Sequence, residues 1–124
     1  MDVDACGFFY AIIIDNMDLT QKHCVPCEGG TPQLPNEKED ELIKQTPDWT
    51  LLRDGTHRMH RMFTFKNFKE AISFINKIAD LAENEGHHPD IKIVYNKVQL
   101  DLFTHAVGGL SENDFIMASK IDNL

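Results

Sequence analysis

The sequence has 124 residues, 42% of them apolar and 26% charged, which fits one globular domain and excludes a large multidomain protein. Acidic residues outnumber lysine and arginine by 20 to 12, and the resulting net charge of −8 argues against binding to nucleic acid or anionic lipid. The longest apolar run, residues 8–14, is too short to cross a membrane and follows no basic segment, so we expect neither a membrane span nor a secretory signal. Because three cysteines form no disulfide framework, we expect a reducing, cytoplasmic location.

The first 35 residues show no sustained helical or strand pattern and contain all three cysteines and three of the five prolines. We therefore predict a poorly packed arm over residues 1–35 and a folded domain over residues 36–124. The spacing of Cys24 and Cys27 suits a redox pair or a zinc site. A structural role is favoured, because no second pair of cysteines follows.

Three segments have the features of α-helices. Apolar residues recur at every third or fourth position over residues 67–85, and Gly86 is well suited to end that helix because glycine adopts the left-handed conformation easily. Shorter helices are predicted from Asn36, interpreted as an N-cap, and after Ser111, which would form a capping box with Asp114.

Four segments have the residue types and alternation typical of strands. They are residues 49–53, 58–65, 91–95 and 97–104. Tight turns are predicted at Asp54-Gly55 and at Asn96-Lys97. The elements together predict an α+β fold of two layers, in which a four-stranded antiparallel sheet carries the helices on one face, in the order helix-β-β-helix-β-β-helix.

Three histidines and several carboxylates form the densest group of polar residues. The group comprises Glu83, His87, His88 and Pro89 at the end of the long helix, and Thr104, His105 and Asp114 further along the chain. Imidazoles exchange protons near neutral pH, so three of them at one cleft suit general acid–base catalysis. The alternatives are a zinc site, for which the His-Glu-x-x-His helix is missing, and ordinary surface histidines.

In their order and spacing, these residues resemble the pterin-4a-carbinolamine dehydratases over the stretch from Trp49 to Leu124. Four separated elements carry the resemblance: Glu83-x-x-x-His87-His88-Pro89, Tyr95-Asn96-Lys97-Val98, Thr104-His105, and Gly109-Leu110-Ser111-Glu112-x-Asp114. The part of the arm around Cys24-Val-Pro-Cys27 also looks like that of bacterial members.

The resemblance implies an enzyme that removes water from 4a-hydroxytetrahydrobiopterin to give quinonoid dihydropterin, and so recycles the pterin cofactor of aromatic amino acid hydroxylases. The implied catalytic residues are His87 and His105, as the acid–base pair, and His88, which would chiefly hold the pterin. The implied substrate-binding or orienting residues are Glu83, Pro89 and Asp114. The chemistry requires no metal or other cofactor. The resemblance also implies that the protein assembles as a homodimer or homotetramer.

The sequence departs from the family pattern at two positions beside the histidines. Ile91 occupies a position that is commonly aromatic, so a stacking contact on the pterin is expected to be lost. Gly86 occupies a position that is often polar, which is expected to loosen the junction between helix and strand. Neither departure removes a proton-transfer group.

Two other classes of function are considered. One is a protein-binding or dimerisation module of the same fold, since animal relatives of the family also act as dimerisation partners of a transcription factor. The other is a metal-dependent hydrolase. The three histidines favour the enzyme, because a scaffold has no physical need for titratable groups at that place.

Two further expectations concern assembly and the start of the chain. The strand 97–104, or the two-strand edge nearest it, is predicted to pair across a two-fold axis and cover an exposed sheet edge. The resemblance begins near Met17, whose following residues look like a bacterial N-terminus. Residues 1–16 are therefore predicted to be dispensable, with translation starting at Met17. The alternative is that the apolar run 8–14 docks as an extra strand or against a partner subunit.

Overall fold

The computed structural model describes residues 18–26 and 32–124, and they form the α+β fold that the sequence predicts. The helices are α1 (Asn36–Leu42), α2 (Phe68–Glu85) and α3 (Glu112–Ile121). The strands are β1 (Thr50–Leu52), β2 (Arg58–Thr64), β3 (Asp90–Val94) and β4 (Lys97–Leu102). The predicted number and order of helices and strands are confirmed, as is the antiparallel sheet.

The strand order in the sheet is β1-β2-β4-β3, so β2 and β4 are central and β1 and β3 are the edges. The prediction that the strand 97–104 pairs with a second copy is therefore wrong for that strand, because β4 is hydrogen-bonded on both sides. The connection through α2 carries the chain to the far edge of the sheet, where β3 forms, and β4 then returns between β3 and β2. The edge nearest β4 is β3, and pairing through β3 stays a prediction.

The core lies between one face of the sheet and the helices. Alternate residues of β4, Val98, Leu100 and Leu102, are fully buried because they point toward the helices. Helix α3 is buried along nearly its whole length, including the polar residues 112–114 of its first turn. Buried polar side chains need hydrogen-bond partners, so this turn is a place where specific contacts are required.

Helix α2 begins and ends as predicted. Asn67 is its N-cap, with a side chain that accepts a hydrogen bond from the Glu70 N–H, and Gly86 is its C-cap with φ of 67°. Although α2 is the longest helix, no helix within the described residues is long and apolar enough to cross a membrane.

Helix α1 begins one residue earlier than its predicted cap implies. Pro35 occupies the N-cap position, so Asn36 is the first helical residue and does not cap the helix. Proline suits this position because a residue there has no need of an N–H donor within the helix. The chain continues after α1 as a short 3-10 helix, Ile43–Gln45, before the turn at Pro47.

The turn between β3 and β4 lies one residue before its predicted position. Val94 pairs with Lys97, so the two turn residues are Tyr95 and Asn96. Two-residue hairpin turns require positive φ, and Tyr95 has φ of 55°. Asn96 stabilises the turn, since its side chain donates a hydrogen bond of 2.7 Å to the Phe65 carbonyl on the neighbouring segment.

The arm is packed more closely than predicted in residues 18–26. Leu19 is fully buried in the core and Lys22 is nearly so, and the short 3-10 helix Leu19–Gln21 contacts α3. A contact of this kind produces no periodic pattern, because only a few residues of a short segment take part. Residues 1–17 and 27–31 lie outside the described residues, and with them the predictions on Cys27 and on residues 1–16.

Candidate active site

The centre of the site is a hydrogen bond between His87, just after α2, and Asp114, in the first turn of α3. Nε2 of His87 lies 2.6 Å from Oδ1 of Asp114. The Asp114 side chain is fully buried, and that of His87 is only 11% exposed. An ionised carboxylate can only accept hydrogen bonds, so Nε2 carries the proton and Nδ1 is the nitrogen that can exchange a proton with a ligand.

The second oxygen of Asp114 fixes the carboxylate in place. Oδ2 accepts hydrogen bonds from the Thr104 hydroxyl at 2.8 Å and from the Ser111 N–H at 3.0 Å. The Ser111 contact belongs to the predicted capping box, which is confirmed. The start of a helix also favours a negative charge, because the helix dipole is positive there. Asp114 thus caps α3 with one oxygen and orients His87 with the other.

Gly86 determines how the chain leaves α2 and reaches His87. Its left-handed conformation, with φ of 67°, would strain any residue that has a Cβ atom. The N–H groups of Gly86 and His87 both donate to the Ala82 carbonyl, at 2.8 and 3.2 Å. The expected loosening of this junction is therefore not observed, because glycine permits a sharp turn that backbone hydrogen bonds close.

His88 has a carboxylate partner as well, but one on the surface. Its Nε2 lies 2.6 Å from Oε2 of Glu83, which is on the last turns of α2. Both side chains are well exposed, Glu83 to 77%. Pro89 follows and leads directly into β3.

His105 begins the short 3-10 helix His105–Val107 after β4 and is exposed. Its ring centroid lies 4.4 Å from that of Phe103. The preceding residue, Thr104, binds Asp114, so Asp114 connects the segment of His105 with that of His87. The structure thus joins the two predicted groups of site residues through one buried carboxylate.

The arm contributes contacts to this region that sequence reasoning missed. Glu85, the last residue of α2, accepts hydrogen bonds from Lys120 of α3 at 2.7 Å and from the Cys24 N–H at 2.8 Å, and lies 3.2 Å from His23. Burial alone would raise the pKa of Glu85, but these three donors lower it below the ordinary value. No local pattern in the sequence signals these contacts, since they join segments far apart in the chain.

Cys24 is a half-buried thiol that donates a weak hydrogen bond to the Asn113 carbonyl, with Sγ and O 3.6 Å apart. Burial, together with the nearby carboxylates of Glu85 and Asp114, raises its pKa. A protonated thiol is a poor nucleophile and metal ligand, which favours the structural role predicted for Cys24. In residues 18–26 and 32–124, no group of three or more His, Cys, Asp and Glu side chains is placed to hold a metal ion.

These features define a class of protein: a small α+β domain with a buried, carboxylate-held imidazole at the junction of two helices and the sheet. The profile of the pterin 4 alpha carbinolamine dehydratase family matches residues 32–124, which is three quarters of the chain. The chain belongs to this family, and the resemblance noted from its motifs is confirmed.

Bacterial relatives extend the similarity into the arm. A protein of Alkaliphilus metalliredigens is 47% identical over 106 residues, covering 85% of this chain and 94% of the relative. One of Rubrobacter xylanophilus is 42% identical over 107 residues, covering 86% and 98%. Both are provisionally named pterin-4-alpha-carbinolamine dehydratases.

Two solved structures show the same fold. The transcriptional coactivator/pterin dehydratase from Brucella melitensis has a TM-score of 0.69 and 31% identity, covering 73% of this chain and 96% of that one. A pterin dehydratase-like protein described as a RuBisCO assembly factor in the alpha-carboxysome has a TM-score of 0.53 over 61% of this chain. At 22% identity, that second likeness concerns the fold alone.

Proposed function

We propose that this protein is a 4a-hydroxytetrahydrobiopterin dehydratase. The observation that carries the proposal is the buried His87–Asp114 hydrogen bond of 2.6 Å in a chain of this family. A carboxylate that holds one imidazole nitrogen stabilises the charged ring and leaves the other nitrogen to transfer protons. Such a pair suits a reaction that consists of proton transfers around a leaving hydroxyl.

The reaction is the loss of water from the carbinolamine. The bond between C4a and its hydroxyl oxygen breaks, and the hydroxyl takes a proton from an acid and leaves as water. A base removes the proton of the neighbouring ring nitrogen, and the electron pair of that N–H bond forms the C=N bond of quinonoid dihydropterin. One proton is given and one is taken, so no oxidant, reductant or cofactor is consumed.

We assign the two proton transfers to His87 and His105. Asp114 keeps the proton on Nε2 of His87, so Nδ1 is the transferring atom. His105 follows Thr104, the residue that binds the second oxygen of Asp114. Two imidazoles on separate segments can act on opposite sides of a ring, as the dehydration requires.

We assign pterin binding to His88, Glu83 and Pro89. His88 and Glu83 are exposed, so water already competes for their mutual hydrogen bond and a ligand can do the same. Pro89 limits the conformations of the chain between the histidines and β3.

A second candidate function is protein binding. The name of the structure from Brucella melitensis includes a transcriptional coactivator. In this chain, the edge strand β3 and the following turn expose Ile91, Val94 and Tyr95.

We propose that a second copy of the chain pairs with this edge of the sheet to form a homodimer. A further contact between dimers would give a homotetramer, which we place in the cytoplasm. Sedimentation at micromolar concentration that shows only monomer would contradict this assembly.

The enzyme proposal is tested by following the loss of 4a-hydroxytetrahydrobiopterin with and without the protein in a stopped assay. We expect the protein to accelerate the loss, and His87→Ala protein at the same concentration to give little more than the uncatalysed rate. Equal rates with and without wild-type protein would reject the enzyme and favour the binding module.

A further inference from the structure

We infer that residues 22–25 form a clamp that positions the His87–Asp114 pair, and that Asn113 and Lys22 are positioning residues of the dehydratase site. The inference rests on the proposed function, which it extends to residues that touch neither substrate nor proton. The clamp contacts the two residues that precede Asp114 in the chain and the residue that lies two positions before His87.

The first part of the clamp is a pair of hydrogen bonds between Asn113 and the backbone of Val25. The Val25 N–H donates to Oδ1 of Asn113 at 3.0 Å, and Nδ2 of Asn113 donates to the Val25 carbonyl at 2.6 Å. Asn113 is buried and directly precedes Asp114. Two opposed hydrogen bonds restrict rotation more than one does, so the arm fixes the backbone from which the Asp114 side chain extends.

The second part is an ion pair between Lys22 and Glu112. Nζ of Lys22 donates to Oε2 of Glu112, and both side chains are buried. Separating buried opposite charges is costly, because each would be left without a partner in a region that water does not reach. Both residues before Asp114 in α3 are thus held by the arm.

The third part holds the end of α2. The Cys24 N–H donates to Oε1 of Glu85 at 2.8 Å, and Lys120 of α3 donates to Oε2 of the same carboxylate at 2.7 Å. Only Gly86 separates Glu85 from His87. Cys24 therefore connects the arm to the end of α2, just before His87. Its neighbours in the clamp, Lys22 and Val25, contact the first turn of α3.

The His87–Asp114 hydrogen bond depends on how the end of α2 and the start of α3 lie relative to each other. A shift of about 1 Å would take a 2.6 Å contact beyond hydrogen-bond distance. A misplacement of that size, caused by a change away from the reacting groups, can cost about 10²-fold in rate. The clamp resists this shift because residues 22–25 contact both the end of α2 and the start of α3.

The test compares Asn113→Ala and Lys22→Ala with two controls in the full chain. Asn123→Ala is the control for losing an asparagine hydrogen bond away from the site, since the exposed Asn123 donates one of 3.0 Å to the Ser119 carbonyl beyond the other end of α3. Lys22→Arg is the conservative control, since it keeps the positive charge. We expect kcat to fall roughly 10- to 100-fold in both alanine variants of the clamp while KM stays within roughly threefold. Asn123→Ala is expected to match the wild type, and Lys22→Arg to recover most of kcat.

A second readout is independent of turnover. The ¹⁵N signals of the His87 ring report which nitrogen is protonated and hydrogen-bonded, and we expect them to move in Asn113→Ala and to stay in place in Asn123→Ala. Unchanged kcat and unchanged ring signals in Asn113→Ala would overturn the clamp. If Lys22→Ala fails to fold, the clamp is tested by Asn113→Ala alone, because that substitution leaves no buried charge unpaired. If wild-type protein has no dehydratase activity, the proposed function fails, and the clamp is supported or overturned by the ring signals alone.

Discussion

His87 and His88 are adjacent and make carboxylate hydrogen bonds of the same length, yet they lie in opposite surroundings. Nε2 of each ring is 2.6 Å from an oxygen, of Asp114 for His87 and of Glu83 for His88. Asp114 is fully buried, whereas Glu83 is 77% exposed. Water and salt weaken the exposed pair, but they hardly reach the buried one. Hydrogen-bond length alone therefore does not distinguish a buried histidine–carboxylate pair from an exposed one.

The difference arises from what else each carboxylate does. Asp114 also caps α3 and accepts a hydrogen bond from Thr104, so its position is set by the fold before any ligand arrives. Glu83 lies on the exposed surface of α2 and can turn toward a ligand. The buried pair thus suits proton transfer, which needs fixed geometry, and the exposed pair suits binding.

The largest expected effects come from removing His87 and His105, the two histidines proposed to transfer protons. His87→Ala and His105→Ala should each slow dehydration by roughly 10²–10⁴-fold, the range typical of general acid–base groups, with folding intact. His88→Ala should instead raise KM more than it lowers kcat, because His88 is proposed to hold the pterin. Steady-state rates of pterin loss measure both constants. Wild-type kcat in His87→Ala and His105→Ala would contradict their assignment.

Thr104→Val tests the support of the buried carboxylate. The substitution keeps the shape of the side chain but removes the hydroxyl that donates to Oδ2 of Asp114. We expect the free energy of unfolding to fall by about 1–3 kcal/mol, the cost of a buried group left without its partner, and kcat to fall about tenfold. Denaturant titration and steady-state assays measure the two losses. Thr104→Ser keeps the hydroxyl and should restore most of both, whereas unchanged stability in Thr104→Val would show that Asp114 does not need this donor.

Glu83→Gln tests the exposed pair and should have a much smaller effect. Glutamine keeps the size and the hydrogen-bonding oxygen but removes a charge that water and salt already screen. We expect kcat within roughly threefold of the wild type and a change in KM that shrinks at high salt. A fall in kcat as large as that of His87→Ala would end the distinction between the two histidines.

Glu85→Gln is tested through the acid dependence of stability, because the ionised carboxylate contributes stability near neutral pH that is lost in acid. Burial would raise the pKa of Glu85, but Lys120, the Cys24 N–H and His23 lower it. A carboxyl whose pKa is lower in the folded chain contributes stability that is complete above the pKa of the unfolded chain and is lost as the pH falls through the folded pKa. Below about pH 5, wild-type protein should therefore lose more free energy of unfolding than Glu85→Gln does. Equal losses in urea titrations at several pH values would show that Glu85 is not such a group.

The helices could be predicted because their signals are local. The apolar spacing before Gly86 defines α2, and Ser111 with Asp114 defines the start of α3. The place of β4 in the centre of the sheet could not be predicted, because alternation shows which residues of a strand are buried but not which strands lie beside it. The shift of the hairpin turn to Tyr95 has the same origin, since the pairing of two strands sets it.

The contacts around the site could be predicted only in part. Motif order placed His87 and Asp114 in one site, but nothing in the sequence shows that Asp114 is fully buried and Glu83 exposed. The arm contacts were beyond reach, since they join residues 61 positions apart at Cys24 and Glu85 and 90 positions apart at Lys22 and Glu112. Contacts this distant follow from the packing of the arm against α2 and α3, which no local pattern describes.

The most direct test of the buried pair is the kcat of Asp114→Asn. Asparagine keeps the volume and can still accept from Thr104 and Ser111, but it has no charge to stabilise a protonated His87 and no need to hold the proton on Nε2. We expect kcat to fall by roughly 10²-fold or more, approaching that of His87→Ala, while circular dichroism shows a folded protein. A folded Asp114→Asn protein with the kcat of the wild type would show that the carboxylate does not orient a catalytic imidazole.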